Sequence, residues 1–194
     1  NCETDFVASN DVFHECGQQI AQAALTETVS SIDDIKSLSI NSKNFTDYIS
    51  EYVLKLGENI TVGKVAQINN TEFVEHYIHM NGKIGVLVAF NSAIESETAK
   101  SIAMHIAAVN PNYLTANDVP QDELDNEKEI IRSQSIKEGK PEAIIDKIIQ
   151  GRLSKYQKEV CLLEQAFIKD DKKQVKELLN DSEEITGFYR FSLS

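Results

Sequence analysis

The sequence predicts an α+β protein: two small α/β subdomains with antiparallel sheets flanked by helices, and a protruding antiparallel helical hairpin. Three observations carry that prediction. Apolar residues recur with a helical period over 45–56, two strand-like runs flank Asn81-Gly82, and a Glu-, Lys- and Ile-rich stretch from Asp122 to Lys158 is broken only at Glu138-Gly139-Lys140-Pro141. The predicted division is residues 1–70 for the first subdomain and 71–194 for the second, with the hairpin inserted at about 120–158.

The chain opens Asn1-Cys2-Glu3-Thr4-Asp5-Phe6-Val7-Ala8, an acidic residue beside an aromatic one with no apolar period around it. Residue 1 is not Met, so the chain reads as trimmed or partial. Phe6 has two candidate places: a core position anchoring the start of the chain, or the tip of a strand end that turns into a helix and offers the ring to another molecule. Pattern alone favours the core, because most Phe side chains are buried.

After Ser9-Asn10-Asp11, where Ser or Asn can cap a helix and Asp suits its first turn, Phe13, Cys16, Ile20 and Ala24 recur at helical spacing through Leu25. Residues 26–42 are polar and predict a loop with one short helix. Phe45, Tyr48, Ile49, Tyr52, Val53 and Leu56 then form one apolar helical face, with Asn44 as cap and Gly57 where a left-handed terminal residue is expected. Residues 58–62 and 65–68 read as strand.

Residues 73–79 and 83–90 predict a hairpin across a type I′ turn at Asn81-Gly82. The second run is apolar on both faces and should lie centrally in its sheet. His76 and His79, three apart on a strand, point to opposite faces and make no metal pair. A helix follows over about 95–109 with Ile102, Ile106 and Val109 inward and His105 at the surface or its boundary; Asn110-Pro111 ends it. In the helical hairpin, Leu124, Ile131 and Ile136 face Ile145, Ile148, Ile149, Arg152, Leu153 and Tyr156 across the turn at Gly139, with Pro141 opening the second arm. Residues 160–163 and 167–168 then read as extended, 171–179 as a short helix, and 187–191 as a last strand returning to the 73–90 sheet.

At 194 residues the chain is long enough to bury a real core, and no apolar run reaches the length of a membrane span. The three Cys (Cys2, Cys16, Cys161) are scattered without metal-ligand spacing and point to a reducing, intracellular setting. A formal charge of −12 argues against coating a duplex, because phosphate binding rests on Lys and Arg, and it suits a basic protein partner. No Gly-rich phosphate loop, Ser-His-Asp spacing or Cys-His pair is present, and nothing encloses Glu3 and Asp5 to raise a carboxyl pKa. Binding, without cofactor or metal, is therefore the expected activity.

The opening octet with Asn10-Asp11 and Phe13, Leu56-Gly57-Glu58-Asn59-Ile60, Tyr77-Ile78-His79 with Gly82-Lys83-Ile84-Gly85-Val86-Leu87-Val88, Ala103-Met104-His105-Ile106-Ala107-Ala108 with Pro111, Gly139-Lys140-Pro141, Gly151-Arg152 and Thr186-Gly187-Phe188-Tyr189-Arg190-Phe191 form collinear blocks over nearly the whole chain. Together they resemble the translation elongation factor Ts family. The resemblance implies a guanine-nucleotide exchange factor for the GTPase elongation factor Tu, and no enzyme. It implies the fold given above, preceded by a small helical domain that docks on the GTPase and is absent from this sequence. It also implies that Asp5 and Phe6, flanked by Thr4 and Val7, push in beside the nucleotide, where Phe6 wedges between helices and disturbs the phosphate loop and the Mg²⁺ site. Leu56, Gly57 and His79 match further contact positions, and Ile168 matches a contact to the far domain of the GTPase, next to Lys169 where relatives are apolar. Elongation factor Tu is the implied partner, a homodimer remains open, and neither direct nucleic-acid nor membrane contact is expected. The setting would be the bacterial cytoplasm or an organelle matrix. The competing expectation is an acidic protein-interaction module with Phe6 in its core.

Overall fold

The computed structural model describes residues 1–29, 31–79 and 82–193. Its first part is helical: α1 (Asp5–Ala8), α2 (Asp11–Thr26), α3 (Ile32–Lys36) and α4 (Phe45–Leu56), with a small ladder of β1 (Ser39–Ile40) on β2 (Lys43–Asn44) before α4. Asn41 and Ser42 join those strands with positive φ at both positions, the twist that a two-residue hairpin loop requires. The caps follow the sequence. Asn10 and Asn44 accept from backbone N–H groups in the first turns of α2 and α4, and Gly57 closes α4 at φ 74°, its N–H reaching Val53 O at 2.8 Å. Cys16, Ile20 and Ala24 of α2 pack on Tyr48 and Tyr52 of α4 and on Ile35, Leu38 and Ile40, forming one apolar cluster.

The second part is built on a three-stranded antiparallel sheet, order β3 (Phe73–His79), β4 (Ile84–Phe90), β7 (Ile185–Ser192). β4 is central, as its apolar character on both faces predicts, and the last strand does return to the hairpin. Val86, Val88 and Phe90 on one face meet Ala99, Ile102, Ala103, Ile106 and Ala107 of α5 (Ser96–Val109), a second cluster. Each fully buried Ile there contributes about 1.5–3 kcal/mol by leaving water. α6 (Gln121–Lys137) and α7 (Glu142–Val160) form the helical hairpin, turning at Gly139 with φ 71°. Ile131, Ile145 and Ile149 give it a small apolar cluster of its own. Arg132 pairs with Asp146 at 2.9 Å across the arms. At its base the Tyr113 and Tyr156 hydroxyls both donate to the Glu123 carboxylate, which pushes the Tyr113 phenol up to about 12. Short strands β5 (Ala166–Phe167) and β6 (Asp170–Gln174) precede β7.

Several expectations need correction. Residues 58–68 form no strand: Thr61 exchanges hydrogen bonds with Asn1, at 2.5 and 3.0 Å, but no neighbouring strand extends that pair into a ladder. The segment instead lines a cleft of about 1170 Å³ together with α2 and with Val74, Leu87 and Phe191 on the sheet face turned away from α5. Residues 171–179 are not a helix throughout; β6 is followed by a single 3-10 turn at Val175–Leu178. Residues 160–163 are not extended either, since α7 runs to Val160 and Leu162–Glu164 form another 3-10 turn. Val109, in the last turn of α5 beside its Asn110 cap, is 41% exposed, and Ile136 near the hairpin turn is 60% exposed. His105 is fully buried. The expected Asn81-Gly82 turn includes Asn81, which lies outside the described residues; Gly82 has φ 90°.

Candidate functional site

The site grows from the start of the chain. Thr4 is extended and caps α1, its hydroxyl accepting the Val7 N–H at 3.3 Å. One helical turn then decides which side chains face inward. Val7 and Ala8 are 2% and 3% exposed against the body, and at about 100° per residue Phe6 rotates out of that contact. Phe6 is 81% exposed. The core position that pattern favoured for it is therefore wrong, and it fails because α1 spends its inward side on its last two residues.

Glu58, which follows the left-handed Gly57, locks this turn. Its carboxylate accepts the backbone N–H groups of Glu3 and Thr4 at 3.0 and 2.9 Å and, in a shorter bond, the Thr4 hydroxyl. The Thr4 hydroxyl first, and the two N–H groups after it, hold the Glu58 carboxyl below its ordinary range. Asp5, in the first turn of α1, pairs with Lys83 Nζ at 2.7 Å. His14 of α2 donates from Nε2 to Ala8 O at 2.8 Å, and the backbone of Gly82 lies against the same ring. A side-chain carbon at Gly82 would stand 3.2 Å from His14 Nε2, so the close approach and the positive φ both favour Gly there. The end of the β3–β4 hairpin thus abuts the α1 turn.

This arrangement gathers most of the anticipated residues. Thr4, Asp5, Phe6 and Val7 form the turn itself, Leu56 and Gly57 end the helix that carries Glu58, and His79 lies at the hairpin end beside Lys83. Their surfaces differ: Phe6, Gly57 and His79 are exposed, Leu56 is half-buried in the α2–α4 cluster, and Val7 is a buried seat beneath Phe6. His79 Nδ1 is hydrogen-bonded to the Tyr77 hydroxyl at 2.9 Å. Ile168 belongs elsewhere, on the loop between β5 and β6, and is 53% exposed. Sequence reasoning missed Glu58, Lys83 and His14 as parts of the site. Glu58 was hidden inside an apparent strand, although its place just after a left-handed Gly marks it as the first residue beyond a helix.

Among the described residues no group of three His, Cys, Asp or Glu side chains is arranged to hold a metal ion, and no helix is long and apolar enough to cross a membrane. Cys2, Cys16 and Cys161 are free thiols, each pushed up by burial. What the site offers is a bare aromatic ring on a short, tightly tethered turn with a carboxylate beside it. That is suited to insertion into another protein.

Comparison with known proteins finds similarity along nearly the whole chain. The family model for Elongation factor TS matches residues 3–194. An Elongation factor Ts from Halothermothrix orenii is 40% identical over 200 aligned positions, spanning all of this chain and 67% of the relative. One from Clostridium perfringens (strain SM101) is 38% identical over 204 positions, spanning 98% of this chain and 67% of the relative.

Proposed function

The chain belongs to the elongation factor Ts family, and from that premise we propose that it is a guanine-nucleotide exchange factor that binds elongation factor Tu and drives out GDP. The single observation that carries this reading is Phe6, 81% exposed on a turn held by Glu58, Lys83 and His14. An aromatic side chain brings large apolar area at the cost of ordering only two torsions. Pushed between helices of the GTPase beside its nucleotide, it forces apart the phosphate loop and the Mg²⁺ site. Asp5 enters with it, exchanging its Lys83 partner for groups of the GTPase.

The thermodynamics are linkage. A partner that prefers the nucleotide-free GTPase weakens GDP by the same factor by which GDP weakens the partner. No bond is made or broken by the exchange factor, so none of its residues is catalytic. Thr4, Asp5, Phe6, Val7, Leu56, Gly57 and His79 form the proposed contact near the nucleotide, with Val7 acting from beneath, and Ile168 a contact to the far domain. The separate apolar clusters of 12–65 and 73–188 support a division into subdomains 1–70 and 71–194. The family relatives, being bacterial, support the cytoplasm as the setting.

The test is direct. Elongation factor Tu loaded with a fluorescent GDP analogue is mixed with this chain and excess GDP, and release is followed by stopped flow. Acceleration that saturates with the concentration of the chain is expected; release at the intrinsic rate throughout refutes the proposal.

A further inference from the structure

Four side chains among the described residues are both polar and buried: Ser101, His105, Ser135 and Gln165. Three of them meet around one short stretch of chain. Gln165 Nε2 donates to Glu159 O, near the end of α7, at 2.7 Å. Gln165 Oε1 is 2.9 Å from His105 Nε2 on α5, and His105 Nδ1 is 3.2 Å from the Ile168 backbone nitrogen. One helical turn earlier on α5, Ser101 Oγ accepts from Lys169 Nζ at 2.8 Å.

The polarity of this chain of bonds is set by its ends. A backbone carbonyl only accepts, so the Gln165 amide must turn its nitrogen to Glu159 and its oxygen to His105. That oxygen only accepts, so the His105 proton resides on Nε2 and Nδ1 is left bare. A bare Nδ1 is what the Ile168 N–H requires. Burial holds the imidazole below its ordinary pKa, in keeping with the neutral form.

Polar groups in an apolar interior cost stability unless satisfied, and α5 is otherwise lined with Ala and Ile on this side. What the network delivers in return is a fixed backbone over residues 165–169. Phe167 is held inward at 6% exposure, its ring 5.9 Å from that of His105, and Ile168 is held outward at 53%. We propose that His105, with Gln165 and Ser101, is a positioning residue that presets the Ile168 loop as a second anchor for the GTPase, remote in sequence from the Phe6 turn. This rests on the assignment of Ile168 to the partner surface made above. Ordering the loop before association removes an entropy cost that binding would otherwise carry.

Two substitutions at one position separate this role from general packing. In His105→Asn the amide oxygen stands where Nδ1 stood and still accepts from Ile168. In His105→Gln the amide nitrogen stands where Nε2 stood, and the Ile168 N–H loses its acceptor. Affinity for nucleotide-free elongation factor Tu is measured by calorimetry for these, for Ile168→Ala and for the double variants. Ile168→Ala is expected to weaken binding about tenfold, His105→Gln several-fold and His105→Asn less than twofold. His105→Gln should cost nothing further in the Ile168→Ala background. Equal losses in Asn and Gln variants, or losses that multiply with Ile168→Ala, overturn the positioning role alone. An Ile168→Ala that binds like the parent overturns the assignment of Ile168 as well. If His105→Gln does not fold, Ser101→Ala, which removes only the Lys169 tether, takes its place in the cycle: a loss that disappears with Ile168→Ala supports the proposal, and an absent or multiplying loss overturns it.

Discussion

Phe6→Ala and Val7→Ala alter adjacent residues of one helical turn, and the structure predicts opposite phenotypes. Phe6 keeps 81% of its surface in water, and an aromatic side chain of roughly 200 Å² therefore leaves about 160 Å² to be buried by a partner. Alanine retains about a third of that, so the truncation forfeits on the order of 100 Å², or ~2.5 kcal/mol at about 25 cal/mol per Å². Affinity for nucleotide-free elongation factor Tu should fall roughly 70-fold, and exchange at subsaturating concentration should fall with it. Stability of the free protein should change by less than about 0.5 kcal/mol, as for other surface substitutions. Val7, at 2% exposure, behaves the other way. Removing its two methyl groups from a packed seat costs about 2 kcal/mol of stability, or ~4–8 °C in Tm for a chain of this size. Fluorescent-GDP release and thermal unfolding, run on both variants, supply the two readouts. A Phe6→Ala protein that melts well below the parent, or one that exchanges nucleotide at the parental rate, refutes the exposed-wedge account.

Glu58→Ala removes the acceptor of two backbone N–H groups and the Thr4 hydroxyl, so the α1 turn loosens. Its exchange activity should drop when Phe6 is present and be unchanged in the Phe6→Ala background; equal losses in both would show that Glu58 does not act through the ring. Gly57→Ala meets open space but must hold φ at 74°, a strain of about 1 kcal/mol that chemical denaturation can measure; no loss would mean that α4 ends differently in solution. Burial holds His105 below 6.5, its Gln165 hydrogen bond offsetting this only in part. The unfolded chain therefore takes up a proton that the folded one refuses. Stability should fall as pH drops from about 6.5 toward the folded value and level off beneath it, and His105→Asn should remove that component of the slope seen in urea unfolding from pH 7 to 5.

Much of the architecture was legible because it is encoded locally. The 45–56 helix carries its own cap, its own apolar face and its own left-handed stop, so no distant residue is needed to define it. The same holds for the helical hairpin, whose turn at Gly139 and paired Ile stripes are read from neighbours in sequence. Residues 58–68 show where this ends. Their alternation of apolar residues is real, yet a strand exists only when another strand lies beside it, and among the described residues the backbone bonds of Thr61 go to Asn1 and to no strand. Residues 171–179 fail for a related reason: Val175 and Leu178 have helical spacing, but the pairing of Gln174 with Ala166 holds the first part as strand and leaves a single 3-10 turn after it. His105 stands on a helix whose spacing cannot show that Gln165 and Ile168, about sixty residues later, will satisfy both of its nitrogens.

The sequence by itself determined the fold class, the family and the stretch on which function turns, because the blocks from Asn1 to Phe191 lie in one order along the chain. What it left open was the direction in which Phe6 points. Only the tertiary structure decided that, through contacts no local pattern contains: Glu58 from just beyond α4, Lys83 from the end of the β3–β4 hairpin and His14 from α2 close on the turn and seat Val7 and Ala8 inward. A single helical turn has one inner side. With that side filled by its last two residues, the aromatic ring is left to the solvent and to a partner.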